Sequence, residues 1–296
     1  MTSTHRDRGC DAGAPRASVV VRTFNSAGTL PACLASLRAQ TVVPEVVVVD
    51  SGSTDDTLAI AERLADRIVE IPRREFTYGR ALNLGAAAAR APVHFALSSH
   101  CVVPGAAWVE RSLSHYERAG VAATNGQITT PDGAPLRAPF VQTRETPLPD
   151  PFWGFSNHAS SWRADVWRLE PFDESLIAAE DFEWSGRVLA RGFAIVFDPA
   201  LLVSGDHRTR QGARALYRRT RRETLAIGGF RDVEALSLRD AVVEWWARHP
   251  PGTRRHRQWL SPYRIATIAG RYTAGRTIRR RRGRVAPGRH EPRLGG

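Results

Sequence analysis

Two short runs of β-branched residues, Ser18-Val-Val-Val21 and Val46-Val-Val-Val49, mark the front of the chain. The first reads as a strand ending in Arg22-Thr23-Phe24-Asn25, and the second, bounded by Pro44 and Gly52, as a strand buried on both faces, as in parallel sheets covered by helices. Helical patterns lie between such strands. One helix is expected from about Thr29 to Gln40, with Pro31 in its first turn, where a missing N–H is harmless. A second should run through Ala65 behind Ser53 and Asp56, which have capping-box spacing. Ile68–Ile71 and Val93–Leu97 read as further strands. Alanine-rich Arg80–Ala89 reads as a helix, as does Gly105–Arg118 with Trp108, Val109 and Leu113 on one side. This alternation implies a twisted, largely parallel sheet through about residue 124.

Past that point the pattern weakens. Residues 127–150 are rich in Pro, Gly and Thr and read as an excursion or loop, followed by the aromatic cluster Phe152-Trp153-Gly154-Phe155. A helix over Glu180–Arg191, closed by Gly192, leads to a last buried strand, Phe193–Phe197, ended by Asp198-Pro199. Arg-rich helices are expected at about 211–227, 236–247 and 262–282. The expected organisation is a disordered stretch over 1–16, an α/β domain over 17–210 and an Arg-rich helical region over 211–296, its tail disordered from about 283.

Charge sharpens this division. All 42 basic residues are Arg. Residues 1–207 carry 19 Arg against 24 acidic residues, net −5, and residues 208–296 carry 23 against 6, net +17, which together give the overall +12. The front therefore reads as an ordinary soluble domain, while the remainder seeks an anionic partner. No apolar run reaches the ~18–20 residues needed to span a bilayer. Met1–Arg16 lacks the apolar core of a signal peptide. Cys10, Cys33 and Cys101 are not spaced as a metal knuckle and read as reduced thiols of a cytoplasmic protein.

The turn Asp50-Ser-Gly-Ser-Thr-Asp-Asp56 sits at the carboxyl end of a buried strand, where open α/β sheets bind ligands. Asp50 can accept hydrogen bonds there from a base or ribose; the alternative is a purely turn-forming Asp. The expectation from this junction is a nucleotide-binding α/β protein.

Four segments extend that expectation: Ser18-Val-Val-Val-Arg-Thr-Phe-Asn25, Val-Val-Asp50-Ser-Gly-Ser-Thr-Asp55, Gly79-Arg80-Ala-Leu-Asn83-Leu-Gly85, and Glu180-Asp181 ahead of a helix. In this order, over roughly residues 17–230, they resemble a family 2 glycosyltransferase. The resemblance implies an α/β fold of GT-A type, an open twisted mixed sheet flanked by helices, here with an Arg-rich helical C-terminal extension. It also implies transfer of a sugar from a nucleotide-diphosphate donor to an acceptor hydroxyl, with inversion at the anomeric carbon. Asp50 and Ser51 would hold the base and ribose, with Thr23, Phe24 and Asn25 beside them; Phe24 stands where Tyr is common. Arg80 and Asn83, three apart on one helical face, and Ser99 complete the expected donor side, the Arg fork suiting phosphate oxygens. Arg73 and Arg74 read as solvated.

The family's Asp-x-Asp is replaced by Ser98-Ser99-His100, with Pro104 setting the register. Carboxylates there would hold Mg²⁺ or Mn²⁺ against the donor's phosphates; imidazole suits Mn²⁺ better than Mg²⁺. Three readings stand. His100 and His207 hold a divalent ion that bridges the diphosphate; His100 donates to phosphate without an ion; or the site is catalytically silent. Asp181 matches the family's catalytic base, which takes the acceptor hydroxyl's proton as the oxygen attacks. Glu180 positions donor sugar or acceptor, and Trp153 and Asn157 fall on the acceptor side, with core packing the alternative for the aromatics.

In the last third, Trp245, Trp246, Trp259, Tyr263, Ile265, Ile268 and Tyr272 interleave with arginines, a pattern suited to a membrane interface. The run Arg279-Arg280-Arg281-Arg282 adds attraction of ~1 kcal/mol per residue to anionic lipid. Nucleic acid is disfavoured as a partner because no binding module is present and the front domain is acidic. The resulting expectation is a cytoplasmic enzyme, peripheral at the inner face of the cell membrane, building a cell-surface polysaccharide or glycolipid on a glycan or lipid-linked acceptor. The alternative is a catalytically silent sugar-nucleotide-binding protein with a basic interaction tail.

Overall fold

A computed structural model describes residues 6–7, 14–128, 140–147, 154–205, 212–233, 237–240, 243 and 262–284. Within the first of two units, Met1–Thr209, the described strands are β1 (Arg6–Asp7), β2 (Ser18–Thr23), β3 (Glu45–Asp50), β4 (Arg67–Glu70), β5 (Val93–Ser98), β6 (Val121–Ile128), β7 (Phe140–Gln142), β8 (Ser160–Arg163) and β9 (Ala194–Val203). They form one sheet in the order β1-β4-β3-β2-β5-β8-β6-β9-β7. Helices α1 (Leu30–Arg38), α2 (Thr57–Leu64), α3 (Tyr78–Ala88), α4 (Trp108–Ser114), α5 (Ala164–Leu169) and α6 (Glu180–Ala190) belong to the same unit. Arg6–Asp7, within the stretch read as disordered, pair with β4.

The valine runs are buried on two faces, as the pattern of the second predicts. Val19, Val21, Val46 and Val48 pack with Leu34 and Leu37 of α1; Val20, Val47 and Val49 pack with Ala81 and Ala88 of α3. Gly85 lets α3 lie close on the sheet, since a Cβ there would come 2.3 Å from Val20 Cγ1. Strands β4, β3, β2 and β5 are parallel. At the amino end of β3, buried Glu45 accepts from Ser18 Oγ at 2.5 Å, Arg90 N at 2.8 Å, Arg90 Nε at 2.7 Å and Arg67 Nε at 3.1 Å. That carboxylate clamps the sheet at the end of β3 away from the Asp50 turn.

The second half is antiparallel in part, giving the mixed sheet that the resemblance implied. Strand β8 runs antiparallel to both β5 and β6, β6 is parallel to β9, and β7 is antiparallel to β9, so the sheet is mixed. Ser161 of β8 is buried, and its hydroxyl meets those of Ser112, Thr124 and Tyr116 at 2.7, 2.7 and 2.6 Å. Trp162 beside it anchors a core with Phe155, Phe172 and Trp184. Asp198 does not end β9, which continues to Val203. Arg111 grips the Asp198 carboxylate with two bonds, 2.6 and 3.2 Å, and His115 Nε2 adds a third at 2.8 Å. Burial is offset there by hydrogen bonds, so the carboxyl lies below its ordinary range. The expected capping box does not form: Ser53 Oγ turns to Asp50 at 2.5 Å, and Asp55 Oδ1 instead accepts from Thr57 N at 3.1 Å.

In the second unit, Arg210–Gly296, α7 (Ala213–Ile227) packs on α8 (Pro262–Arg284). Tyr217 Oη meets Thr273 Oγ1 at 3.2 Å, and Gly270 admits the backbone of α7, its Cβ position lying 3.0 Å from Tyr217 O. The helix expected at 236–247 falls largely outside the described residues. No helix of the described residues is long and apolar enough to cross a membrane.

Candidate active site

The carboxyl ends of β2, β3 and β5 lie side by side, with Thr23 opposite Asp50 and Arg22 opposite Ser98. The chain beyond β2 is laced to the chain beyond β3. Ser51 donates to Thr23 O from its N, at 3.1 Å, and from its Oγ, at 3.0 Å. Asn25, held at φ 46°, accepts from Thr54 N at 2.8 Å and donates its own N–H to Ser53 Oγ at 2.9 Å. The left-handed backbone at Asn25 suits that residue type and aims its amide across the junction.

Asp50 is buried, and its carboxylate already accepts from Gly52 N at 2.9 Å, Ser53 N at 2.8 Å and Ser53 Oγ. These bonds make the side chain turn-forming, and a carboxylate keeps further acceptor capacity for a base or ribose. Phe24 is exposed on the rim. Arg73, read as solvated, instead lies with its guanidinium carbon 4.1 Å from the Phe24 ring centroid and 5.4 Å from that of Phe76.

Arg80 and Asn83 also differ from expectation. Both amide hydrogens of Asn83 are donated, to Phe172 O and Glu174 Oε1, and its Oδ1 accepts from Trp167 Nε1 and Phe172 N. A fully used amide has no capacity left for a diphosphate. Arg80 pairs with Glu174 at 3.2 Å and Glu75 at 3.5 Å, and its Nε has no hydrogen-bond partner among the described residues. The pair secures α3 to the 172–174 segment. Glu174, 91 residues beyond Asn83, is invisible to a local reading of the motif.

Glu180 and Asp181 open α6 behind Ala179, which sits at φ 64°. Asn157 reaches both: its N–H donates to Asp181 Oδ2 at 3.1 Å, and its Nδ2 donates to Glu180 Oε1 at 3.0 Å. Burial first, and the Glu180 charge second, push Asp181 up to about 7; the Asn157 and Phe182 N–H bonds and the Arg22 guanidinium pull the other way. Arg22 was not singled out as a site residue by sequence. Its Nη2 donates to Asn157 O at 2.8 Å, with Ser98 Oγ at 3.5 Å. The available signal was one cation in an otherwise apolar buried strand.

Thr23 Oγ1, Arg22 Nε and Asn157 Oδ1 are buried without a hydrogen-bond partner among the described residues. Buried polar atoms are normally hydrogen-bonded, so these are atoms a ligand would complete. After β5, Ser99 Oγ donates to Ser26 Oγ at 2.8 Å, and half-buried His100 follows. Gly205, at φ +118°, packs on this turn, its Cβ position only 2.3 Å from His100 O. His207, two residues further, and Trp153 lie outside the described residues.

Among the described residues no three His, Cys, Asp or Glu side chains converge on a metal position. Ser99 is engaged by Ser26, and Ser98 faces a guanidinium that would repel a bound cation. The described Ser98-Ser99-His100 segment thus does not fit the metal that a carboxylate pair would hold.

Comparison with known proteins converges on one family. The sequence profile of glycosyl transferase family 2 matches residues 18–168, half of the chain. An O-antigen chain rhamnosyltransferase of Salmonella typhimurium is 23% identical over 209 residues, which cover 64% of this chain and 66% of that protein. The chain thus spans just under two thirds of this relative's length. In structure it is similar to a mannosyltransferase of Pyrobaculum calidifontis, solved with GDP-Man and Mn²⁺, at TM-score 0.63 and 18% identity, covering 91% of this chain and 90% of that one. A Staphylococcus aureus TarS fragment solved with UDP-GlcNAc gives TM-score 0.55 and 16% identity, covering 90% and 92%. At those identities the likeness shows the GT-A fold, as the sequence implied. With the profile covering the site-bearing strands, the chain belongs to glycosyl transferase family 2.

Proposed function

We propose that this protein transfers a sugar from a nucleoside-diphosphate donor to an acceptor hydroxyl, with inversion at the anomeric carbon. The observation that carries the reading is Asp181, a buried carboxylate at the head of α6, held by the Asn157 and Phe182 N–H groups and pushed up to about 7 by burial and the Glu180 charge. In a single displacement the acceptor oxygen bonds to the anomeric carbon while the bond from that carbon to the β-phosphate oxygen breaks. The electron pair leaves with the nucleoside diphosphate, and Asp181 takes the acceptor's proton. Thr23, Phe24, Asn25 and Ser51 line the nucleoside end, and Asp50 holds their turn. Glu180 and Asn157 position donor sugar or acceptor.

His100 is assigned to the donor's phosphates, donating directly. A divalent ion in this fold would supply charge at the leaving diphosphate, and the solved mannosyltransferase relative contains Mn²⁺. Assays with UDP-, GDP- and dTDP-sugars, with chelator or added Mn²⁺, test both points. Turnover with one donor, changed less than about twofold by chelator, is the expected result. Turnover lost on chelation and restored by Mn²⁺ would assign an ion to His100 and His207 instead. Failure with every donor would favour a silent sugar-nucleotide binder, the reading motivated by the missing carboxylates at Ser98 and His100.

The acceptor is assigned as a glycan or lipid-linked sugar of the cell surface, reached from the cytoplasmic face of the membrane. Support comes from the O-antigen relative and from the exposed arginines of α8. Replacing Arg279, Arg280 and Arg281 with Ser should weaken binding to phosphatidylglycerol vesicles roughly 100-fold, at ~1 kcal/mol per residue. Unchanged co-sedimentation would remove the membrane from the proposal.

A further inference from the structure

Arg22 is the one cation within the β2 run, and it lies between two parts of the site. Its neighbours on one side are Ser98 at the end of β5 and the ring of Tyr78 at the start of α3, whose centroid is 5.7 Å from the guanidinium carbon. On the other side is Asn157, whose carbonyl accepts from Arg22 Nη2 at 2.8 Å. The same Asn157 sends its backbone N–H to Asp181 and its side-chain amide to Glu180. A continuous chain of hydrogen bonds therefore runs from the middle of the sheet to the two carboxylates at the head of α6. A carbonyl held by a guanidinium polarises its peptide group, and hydrogen bonds in such a series strengthen one another.

Resting on the assignment of Asp181 as base, we infer that Arg22 is a positioning residue for transfer: through Asn157 it aims Asp181 and offsets the negative charge of Glu180. Among the described residues, the charged groups acting on Asp181 are Glu180 of α6, which disfavours its ionised form, and Arg22 of β2, which favours it. Without a cation, two adjacent buried carboxylates share one negative charge poorly. The base would then stay protonated at neutral pH and could not accept the acceptor's proton. Arg22 keeps the pair usable while the Asn157 N–H on Oδ2 and the Phe182 N–H on Oδ1 fix how the Asp181 carboxylate is turned, each oxygen keeping a second lone pair for the acceptor's proton. Chemically this is a substitution of site design: where the family resemblance implies a carboxylate at the end of β5, this chain has Ser98 facing a guanidinium.

The test is a ¹³C NMR titration of the Asp181 carboxyl in aspartate-labelled protein, its signal identified by its loss in Asp181→Asn. This readout needs no donor. Wild type should titrate near 7. Arg22→Met should raise the midpoint by about one unit or more, the effect of removing an opposite charge nearby. The same variant should lower kcat at pH 7 about tenfold with little change in donor KM, and recover at alkaline pH. Arg22→Gln, which keeps a donor for Asn157 O without the charge, should raise the midpoint in the same direction. Arg22→Lys should restore it to within about half a unit. A folded Arg22→Met or Arg22→Gln protein titrating like wild type overturns the inference. Transfer surviving in Asp181→Asn would overturn the base assignment instead, and would leave the electrostatic coupling between Arg22 and Asp181 standing.

Discussion

Asp181→Asn is expected to lower kcat by about 10²–10⁴-fold, the range that a positioned general base supplies. Nucleoside diphosphate affinity, read by calorimetry with UDP and GDP, should stay within about threefold of wild type, because the residues proposed to hold the nucleoside lie at the ends of β2 and β3, away from α6. That split separates a lost proton acceptor from a damaged fold. The wild-type enzyme should show the matching pH dependence. Burial beside Glu180 raises Asp181, so its active, ionised form is depleted as pH falls through about 7. Below that midpoint kcat/KM should drop about tenfold per pH unit. Full activity at pH 5, or in Asp181→Asn, would refute the assignment.

The second large effect is expected on stability. Gly126 sits where β6 and β9 shift register, and a Cβ there would lie 1.9 Å from the carbonyl oxygen of Leu201 and 2.7 Å from its side chain. A backbone carbonyl within a paired strand cannot step aside, so Gly126→Ala should lower the unfolding free energy by about 3 kcal/mol. Urea denaturation checks this through a lower midpoint at unchanged slope. Gly186 in α6 provides the contrast: nothing lies within 4 Å of its Cβ position. Gly186→Ala should stabilise by about 1 kcal/mol, the helix propensity difference. Equal effects at the two positions would show that close approach at Gly126 is not what matters.

The front of the sheet was legible because its strands announce themselves chemically. A run such as Val46–Val49 is buried on both faces, and β-branched residues there admit few alternatives. The antiparallel strands were hidden for the opposite reason. Ser160 and Ser161 look like surface residues, yet both are buried, and Ser161 is satisfied by hydroxyls arriving from α4, β6 and the turn after α4. No local pattern reports partners that far along the chain. Likewise Pro199 argued for a strand end, whereas β9 bulges past it because Gln127 Nε2 donates to the Pro199 carbonyl at 2.8 Å.

The same division holds in the cleft. Glu180-Asp181 at a helix start could be found from sequence, since acidic residues in a first turn followed by apolar spacing are a local signal. The environment that raises Asp181 could not, because Asn157 and Arg22 come from elements 24 and 159 residues away. Arg80 and Asn83 show the reverse case. Their spacing on one face is as read, but the face meets Glu174 and Phe172, so long-range packing decides what the motif does. The Ser98-Ser99-His100 departure was visible at once; that Ser98 faces a cation was not.

Adjacent positions of β2 report to opposite sides of the sheet. Thr23 follows Val19 and Val21 toward the layer formed by α1, while Arg22 follows Val20 toward α3. Drift at Thr23 and drift at Arg22 are therefore uncoupled: selection can retune one side of the cleft while the other stays constant. The same geometry forbids length change. Inserting one residue ahead of Val21 would swap the two sides for the rest of the strand, sending the guanidinium into the α1 layer and Val21 toward the carboxylates. Substitutions within this strand are thus expected to be separable in their consequences among descendants of this sequence, and insertions there to be lethal to the fold and the chemistry together.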